Sequence, residues 1–249
     1  MIDTHCHLYS SYYDNLDDVI QEIINAGVEK VIVNGCDMAS NIEVLELTKK
    51  YDIVYGAIGF HPTEKHDDID ECINFLSEHI NDSKIVAIGE IGLDYHYDDT
   101  DKSMQNILFK RQLDIAHEYN KPVIVHSRDS IQDTYNVLSK YNLHGSIHAY
   151  SGSVEMAKEF IKLGYYLGIG GVCTFKNAKN IVSVIKEIDL TYLLLETDSP
   201  YLTPVPFRGQ TNSPANLPLI VDKISEIKNV SNTMVIKVTT DNAIVLFDF

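Results

Sequence analysis

The chain has 249 residues, 45% of them hydrophobic and 22% charged, and a formal net charge of −16. This length suits one large domain and is too short for two typical domains joined by a linker. The composition excludes a membrane-spanning segment, because no apolar run reaches roughly 20 residues, and the acidic charge argues against a generic nucleic-acid binder with a basic surface.

Short apolar runs rich in β-branched residues alternate with amphipathic segments along the whole chain. The predicted strands are 1–8, 30–35, 53–60, 85–93, 122–127, 145–150, 165–170 and 191–197. Predicted helices between them include 17–26, 40–50, 103–119, 153–163 and 178–187. This alternation is typical of a parallel sheet covered by helices. Eight such units predict a single α/β domain over residues 1–249, a TIM-type (β/α)8 barrel.

Five of the seven prolines lie between Ser199 and Leu219. A proline-rich segment can be an interdomain linker or a long loop. Beyond this segment, the pattern predicts one amphipathic helix over 217–229 and a closing helix with Ser231 as its N-cap. Because these two helices could not form a second core, we expect a loop over the mouth of the barrel.

Six potential metal ligands fall at or near the ends of predicted strands. They are His5, His7, Glu90, His126, His148 and Asp198. Side chains alternate along a strand, so the spacing of His5 and His7 points both imidazoles to one face. The carboxyl ends of the strands meet at one mouth of a barrel, which predicts a shell of nitrogen and oxygen ligands for zinc, manganese or magnesium. Such a site is typical of a metal-assisted hydrolase.

The two carboxylates of this set have distinct predicted roles. Glu90 can bridge two cations, and the alternative is a buried acid paired with one histidine. Asp198 can hold a metal and accept a proton from the attacking water, and the alternative is a cap for the following turn. Asp3 and Glu196 share the strand parity of the ligands, so we expect them to orient ligating imidazoles. The role of Asp94 is open.

Three further residues are candidates for binding a substrate phosphate: His61, Arg128 and Arg208. Arginine suits this role because its planar guanidinium donates two hydrogen bonds to phosphate oxygens and stays charged. The alternative for each arginine is a surface ion pair with one of the many acidic residues.

The four cysteines are widely spaced and form no CxxC pair. This pattern indicates reduced thiols, with neither a disulfide framework nor a cysteine zinc site. The amino terminus shows no signal-peptide pattern, so we expect a cytoplasmic protein. Nothing in the sequence implies an obligatory protein partner.

The chain resembles the TatD family of metal-dependent deoxyribonucleases over nearly its full length. The matching segments are DTHCHL at 3–8, GFHP at 59–62, GEIGLDY at 89–95, VIVHSRD at 123–129, HAYSG at 148–152, LLETDSPYLTP at 194–204, PFRG at 206–209 and TTDNAIVLF at 239–247. HAYSG departs from an HCFSG-like form through Ala149 and Tyr150, but it keeps His148.

The resemblance implies that the six potential ligands hold two divalent ions and that His61, Arg128 and Arg208 lie near the substrate. We expect a 3′–5′ exodeoxyribonuclease acting on single-stranded or frayed DNA ends, because bound metal ions would supply positive charge that the acidic surface lacks and binding would then be local to a strand end. Two alternatives remain open. One is a metal-dependent ester or amide hydrolase, such as a tRNA-editing deacylase, and the other is a metal-binding scaffold without activity.

Overall fold

The computed structural model describes residues 1–66 and 68–249. Over these residues the chain forms one sheet of eight parallel strands in the order of the sequence. The strands are β1 (Ile2–Cys6), β2 (Lys30–Asn34), β3 (Val54–Ile58), β4 (Ile85–Asp94), β5 (Val123–Arg128), β6 (Gly145–Ile147), β7 (Tyr165–Ile169) and β8 (Leu193–Leu195). The predicted TIM-type barrel is confirmed.

Helices follow the strands around the outside of the barrel. They are α1 (Leu16–Asn25), α2 (Met38–Lys50), α3 (Ile69–His79), α4 (Lys102–Glu118), α5 (Ile131–Leu138), α6 (Val154–Lys162), α7 (Lys179–Glu187), α8 (Leu217–Lys228) and α9 (Asn232–Phe247). Ser231 caps α9 as predicted, because its hydroxyl accepts from the amide of Met234. None of the helices in the described ranges is long and apolar enough to cross a bilayer.

Hydrogen bonds beyond the ends of β8 and β1 bring the last strand back to the first. The amide of Asp198 donates to His5 O at 2.9 Å, and the amide of His7 donates to Ser199 O at 2.7 Å. The Asp3 carboxylate accepts from the amide and hydroxyl of Thr197 at 3.0 and 2.6 Å. These bonds bring the first and last candidate ligands side by side, although they are 193 positions apart in the sequence.

Apolar packing supports the barrel on both sides of its wall. A large cluster fills the space between strands and helices. A smaller cluster contains Ile124 and Leu194, which share strand parity with His126 and Asp198 and therefore lie inside the barrel. Ala243, Leu246 and Phe247 of α9 belong to this inner cluster and close it.

Buried amide side chains hold the chain where the strands end. Asn41 of α2 exchanges two hydrogen bonds with the backbone of Gly59, at 2.7 and 2.9 Å. Gln112 of α4 does the same for Phe60, and Gln105 does so for Asp94. Because a buried backbone group must have a partner, these amides fix the path of the segments that carry the site.

Two predicted strands are shorter than expected. The run 145–150 is a strand only to Ile147, and 191–197 is a strand only over Leu193–Leu195. Ala149 and Asp198 adopt φ angles of +42° and +53°, in the left-handed region that an extended strand cannot contain. His148 and Asp198 therefore lie just beyond their strands, in the loops of the mouth.

Other boundaries agree with prediction to within a few residues, and the structure adds α3 and α5, which were not among the predicted helices. The proline-rich segment leads through a short 3-10 turn at Pro214–Asn216 into α8. Leu217, Ile220 and Ile224 of α8 pack into the same core as the barrel. The segment is therefore a loop of one domain, and the interdomain-linker alternative is wrong.

Candidate metal centre

The Glu90 carboxylate lies at the centre of a group of imidazoles at the carboxyl ends of the strands. Its Oε1 is 2.7 Å from His148 Nε2 and 2.9 Å from His126 Nδ1. Its Oε2 is 3.4 Å from His5 Nε2 and 3.5 Å from His7 Nε2. Each carboxylate oxygen therefore faces its own pair of imidazoles, and Glu90 itself is buried.

Asp198 lies on the side of the group formed by β1. Its Oδ1 is 3.4 Å from His5 Nε2 and 3.6 Å from His7 Nε2, and these two nitrogens are 3.2 Å apart. The His148 ring stacks on His5 with centroids 3.9 Å apart. The structure thus brings all six predicted ligands together in one cluster.

His61 lies closer to this cluster than the sequence indicated. It follows β3, and its amide donates to Cys36 O at 2.8 Å. Its Nε2 is 3.4 Å from Glu90 Oε1, and its ring centroid is 4.4 Å from that of His126. Its place beside the carboxylate suits either a ligand or a group that contacts a bound phosphate, and its role as a substrate residue stays a prediction.

Several imidazole orientations are set by groups outside the cluster. His126 Nε2 is 2.9 Å from Asp94 Oδ2, so Asp94, whose role the sequence left open, orients this ring. His7 Nδ1 is 3.1 Å from Asn34 O. Glu196 Oε1 accepts from the amide of Ala149 but lies 4.0 Å from His148 Nδ1, too far for a hydrogen bond, so Glu196 holds the backbone at Ala149 and does not orient the ring as expected.

Asp3 behaves differently from the expectation that it orients an imidazole. Its carboxylate accepts from the backbone amide of His5 at 3.2 Å and from Thr197. The two bonds from Thr197 join β1 to the segment after β8. The reason for the difference is that the amides of His5 and Thr197 and the hydroxyl of Thr197 occupy the carboxylate oxygens of Asp3.

Burial and charge together set the protonation of the cluster. Burial lowers the pKa of His5, but the charge of Glu90 and hydrogen bonds with Asp198 outweigh burial and raise that pKa to about 10. Burial also lowers the pKa of His7, but the contact with Asp198 and the charge of Glu90 outweigh burial and raise that pKa to about 9. For His148, burial and the neighbouring His5 charge lower the pKa to about 4. Protons on imidazoles therefore balance the carboxylates when no cation does.

The two carboxylates stay ionised despite burial. Burial would raise the pKa of Glu90, but the surrounding imidazole charges hold it well below its usual range. Burial also opposes ionisation of Asp198, and hydrogen bonds from His5 and His7 reverse that effect and lower its pKa. An anionic pair at this depth is available to cations.

The donor set fits divalent metal ions. Three groups of ligand atoms lie within 4.8 Å of one another: His5, His148 and Asp198; His5, His7 and Glu90; His61, Glu90 and His126. His5 Nδ1 and His148 Nδ1 are buried without a hydrogen-bond partner among the described residues. Imidazole and carboxylate ligands of this kind suit zinc and manganese, and carboxylates alone suit magnesium.

The two candidate arginines lie at the rim of the mouth and are exposed. Arg128 shares strand parity with His126, one layer further out, and its guanidinium lies 5.7 Å from the Tyr97 ring centroid. The Arg208 guanidinium lies 3.8 Å from the Phe175 ring centroid. Among the described residues neither has a carboxylate within 4.0 Å, in contrast to Arg111, which pairs with Asp70. Their role in substrate binding stays a prediction.

Cys36 lies beside the cluster, a position that was not predicted from the sequence. All four cysteines are free, as expected. Cys6 packs in the outer core and donates to Ile32 O, but Cys36 Sγ lies 3.8 Å from His7 Nδ1 and 3.9 Å from Glu90 Oε2. The position of Cys36 just after β2, at the same mouth as the ligands, is the feature of the sequence from which its place could have been predicted.

A family model described as TatD related DNase matches residues 2–248. The chain belongs to this family. The family assignment made from the sequence segments is therefore confirmed.

Relatives in distant organisms match this TatD-family chain over nearly its full length. An uncharacterized metal-dependent hydrolase of Bacillus subtilis, YabD, is 39% identical over 99% of this chain and 98% of its own length. A protein of Methanocaldococcus jannaschii with the same description is 36% identical, over 92% of this chain and 89% of its own length. The crystal structure of the TatD homologue YjjV of Escherichia coli superimposes with a TM-score of 0.95 at 33% identity, covering 100% of this chain and 98% of that one.

Proposed function

We propose that this TatD-family protein is a metal-dependent phosphodiester hydrolase that removes nucleotides from the 3′ end of single-stranded or frayed DNA. The metal-dependent hydrolase class rests on the relatives, which carry that description. The DNA substrate rests on the family, which is described as DNase. The imidazoles and carboxylates of the candidate metal centre are suited to hold the metal ions that hydrolysis of DNA by such an enzyme requires.

The observation that carries the proposal is the position of the Glu90 carboxylate. Its two oxygens face different pairs of imidazoles, His126 with His148 and His5 with His7. A carboxylate between two sets of ligands is the arrangement that a bridge between two cations needs. The alternative, a buried acid paired with a single histidine, does not explain why the second carboxylate oxygen also faces imidazoles.

Two divalent ions would be held by the six predicted ligands, with Glu90 shared between them. The imidazole-rich side favours zinc or manganese over magnesium, since magnesium prefers oxygen ligands. When bound, such ions supply a water of lowered pKa and positive charge beside the phosphate oxygens.

Residues of the chain perform the remaining steps. Asp198 is ionised and lies beside both His5 and His7, so its carboxylate can accept the proton of the attacking water. The exposed guanidinium of Arg128 can hold a non-bridging phosphate oxygen above His126. Arg208, from the loop after β8, can hold the neighbouring phosphate.

The charge of the protein favours action at strand ends. A net charge of −16 repels a long polyanion, and affinity along a duplex requires many basic contacts. Two exposed arginines at the rim suffice only for local contacts. A free end of a single strand can enter a mouth of this kind, because it brings few phosphates near the acidic surface.

The test uses metal-stripped protein assayed on end-labelled single- and double-stranded DNA and RNA, with magnesium, manganese, zinc or none. We expect stepwise loss of nucleotides from the 3′ end of single-stranded DNA, and this loss should depend on added metal. Parallel assays on aminoacyl-tRNA and on a carboxylic ester or amide address the alternative hydrolase. Turnover only on those substrates would reject the nuclease, and no turnover with any metal would favour the scaffold.

A further inference from the structure

Two tyrosines at the mouth of the barrel form an exposed, hydrogen-bonded pair. Tyr12, in the loop after β1, is 40% exposed, and Tyr201, in the loop after β8, is 51% exposed. Their hydroxyl oxygens are 2.8 Å apart, and their ring centroids are 6.0 Å apart. An exposed aromatic pair at the mouth of a binding site is a candidate surface for a ligand.

Both tyrosines are anchored to the protein, Tyr12 through its ring and Tyr201 through its backbone. Tyr12 stacks on Tyr9 with centroids 5.7 Å apart and an interplanar angle of 28°, and Tyr9 is itself buried. The amide of Tyr201 donates to Asp198 O at 2.9 Å, and Asn212 Nδ2 donates to Tyr201 O at 2.7 Å. A surface that is rigid before binding loses little entropy when a ligand stacks on it.

The pair lies next to the candidate metal centre. The Tyr201 ring centroid is 6.3 Å from that of His7 and meets it edge-on. Tyr201 also follows Asp198 by only three residues. A phosphate bound at the cluster therefore places the nucleoside on one side of it within reach of these rings.

We propose that Tyr12 and Tyr201 form an aromatic platform for the unpaired nucleobase beside the scissile phosphate. Because the two rings lie at 72° to each other, the base stacks on one ring and meets the edge of the other. The inference rests on the proposed nuclease function and specifies how the substrate is recognised. Every nucleobase has an apolar π face, so stacking on tyrosine binds a base without reading its sequence. A base in a duplex is already stacked and paired, so the platform selects strand ends that are single-stranded or frayed.

The experiment compares Tyr12→Ala and Tyr201→Ala with the two Phe variants, which keep the ring and lose only the hydroxyl contact. The control is Tyr192→Ala, because Tyr192 is 43% exposed but precedes β8, at the opposite end of the barrel. Thermal melting verifies that each variant is folded. Two short single strands serve as substrates, identical except that the 3′-terminal nucleotide of one lacks its base.

The parent enzyme is expected to prefer the strand with the base by about tenfold or more in kcat/KM, mainly through KM, as base stacking on aromatic residues predicts. The Ala variants should lose this preference, and the Phe variants and Tyr192→Ala should keep it. Equal preference in the parent and both Ala variants would overturn the platform. So would Phe variants that behave like Ala, since the hydrogen bond, not the ring surface, would then matter.

A binding measurement separates this proposal from the proposed function. A single strand ending in 2-aminopurine is added to metal-stripped protein in a chelator, where no cleavage occurs. Stacking quenches its fluorescence, and we expect quenching with the parent, the Phe variants and Tyr192→Ala only. Quenching in the chelator combined with no phosphodiester cleavage by the metal-loaded protein would reject the nuclease and keep the base site. Metal-dependent cleavage combined with quenching that is unchanged in the Ala variants would reject the base site alone.

Discussion

The carboxylate of Asp94 lies 2.9 Å from Nε2 of His126, on the side of the ring away from Glu90. An ionised carboxylate can only accept, so Nε2 carries a proton and Nδ1 faces the cluster. Asp94 is buried, and its pKa is lowered because the hydrogen bond from His126 outweighs the effect of burial. The contact therefore fixes both the orientation and the tautomer of a candidate ligand.

Asp94→Asn is expected to weaken metal binding by about 10- to 100-fold, the usual effect of removing the carboxylate behind a ligating histidine. The amide can still fill the space, so the fold should stay intact. Calorimetric titration of metal into the stripped protein measures the affinity. Asp129→Asn is the matched control, because Asp129 pairs with His96 at 3.0 Å outside the cluster. An unchanged affinity in Asp94→Asn would reject the orienting role.

Glu90→Gln should lower turnover by more than about 100-fold and reduce the bound metal. The amide keeps the shape of the side chain but lacks the negative charge that a bridge between two cations requires. Metal analysis of the purified variant and its activity at saturating metal provide the measurement, with circular dichroism as the check on folding. Activity within a few-fold of the parent contradicts the bridge.

Arg128→Ala and Arg208→Ala are each expected to lower kcat/KM on single-stranded DNA by roughly ten- to a hundred-fold, because a charge-assisted hydrogen bond contributes about 1.5–3 kcal/mol. The Lys variants should be intermediate, since they keep the charge and lose the planar fork. Metal affinity should not change.

The third arginine of the chain is the control for this series. Arg111 pairs with Asp70 on the outer helices, so Arg111→Ala should cleave DNA at the parental rate. Salt should inhibit the parent more than either Ala variant of Arg128 or Arg208, since fewer phosphate contacts give a smaller salt dependence. Parental DNA cleavage by both Ala variants, with loss of ester or amide hydrolysis, would favour the alternative hydrolase.

Metal binding should release protons. The pKa values of His5, His7 and His126 are raised to about 10, 9 and 9, so these rings are protonated at neutral pH in the metal-free protein. An imidazole binds a metal only after it loses the proton on the ligating nitrogen. Affinity should therefore rise with pH until the pH passes about 9 to 10. Calorimetry in two buffers of different ionisation enthalpy counts the protons, and a count of zero would refute the prediction.

The stability of the metal-free fold should change with pH in the opposite direction to metal affinity, falling as pH rises. A histidine whose pKa is raised on folding stabilises the native state most fully below its unfolded pKa of about 6.5. That contribution is lost as pH rises through about 9 to 10. Chelated protein should accordingly melt at a lower temperature in the alkaline range, and metal should restore the melting temperature.

Gly92→Ala tests the close approach of β4 to β5. Gly92 has a φ of +150°, and a Cβ there would lie 2.0 Å from the carbonyl oxygen of His126. Backbone strain and overpacking together should cost about 2–4 kcal/mol of unfolding free energy. Gly27→Ala is the control, since its φ is +81° but the nearest atom is 3.7 Å away, and it should cost about 1 kcal/mol. Equal destabilisation of the two variants in urea would show that the contact does not matter.

Much of this architecture follows from local patterns. The alternation of apolar runs and amphipathic segments predicts eight β/α units, because strand and helix periodicities depend on neighbouring residues only. The spacing of His5 and His7 predicts a shared face for the same reason. The positions of the six potential ligands at the ends of strands predicted that these residues lie together, since parallel strands in a barrel bring their carboxyl ends to one mouth.

Only the tertiary structure decided which groups touch within that mouth. His61 lies against Glu90, Asp94 orients His126, and Tyr12 contacts Tyr201 across 189 positions of sequence. Each contact depends on where a loop turns after its strand and on how β8 returns to β1. Loop paths depend on distant partners, such as the buried Gln112 that holds Phe60. A residue type and its spacing cannot encode such partners, because the contact exists only once the barrel has closed.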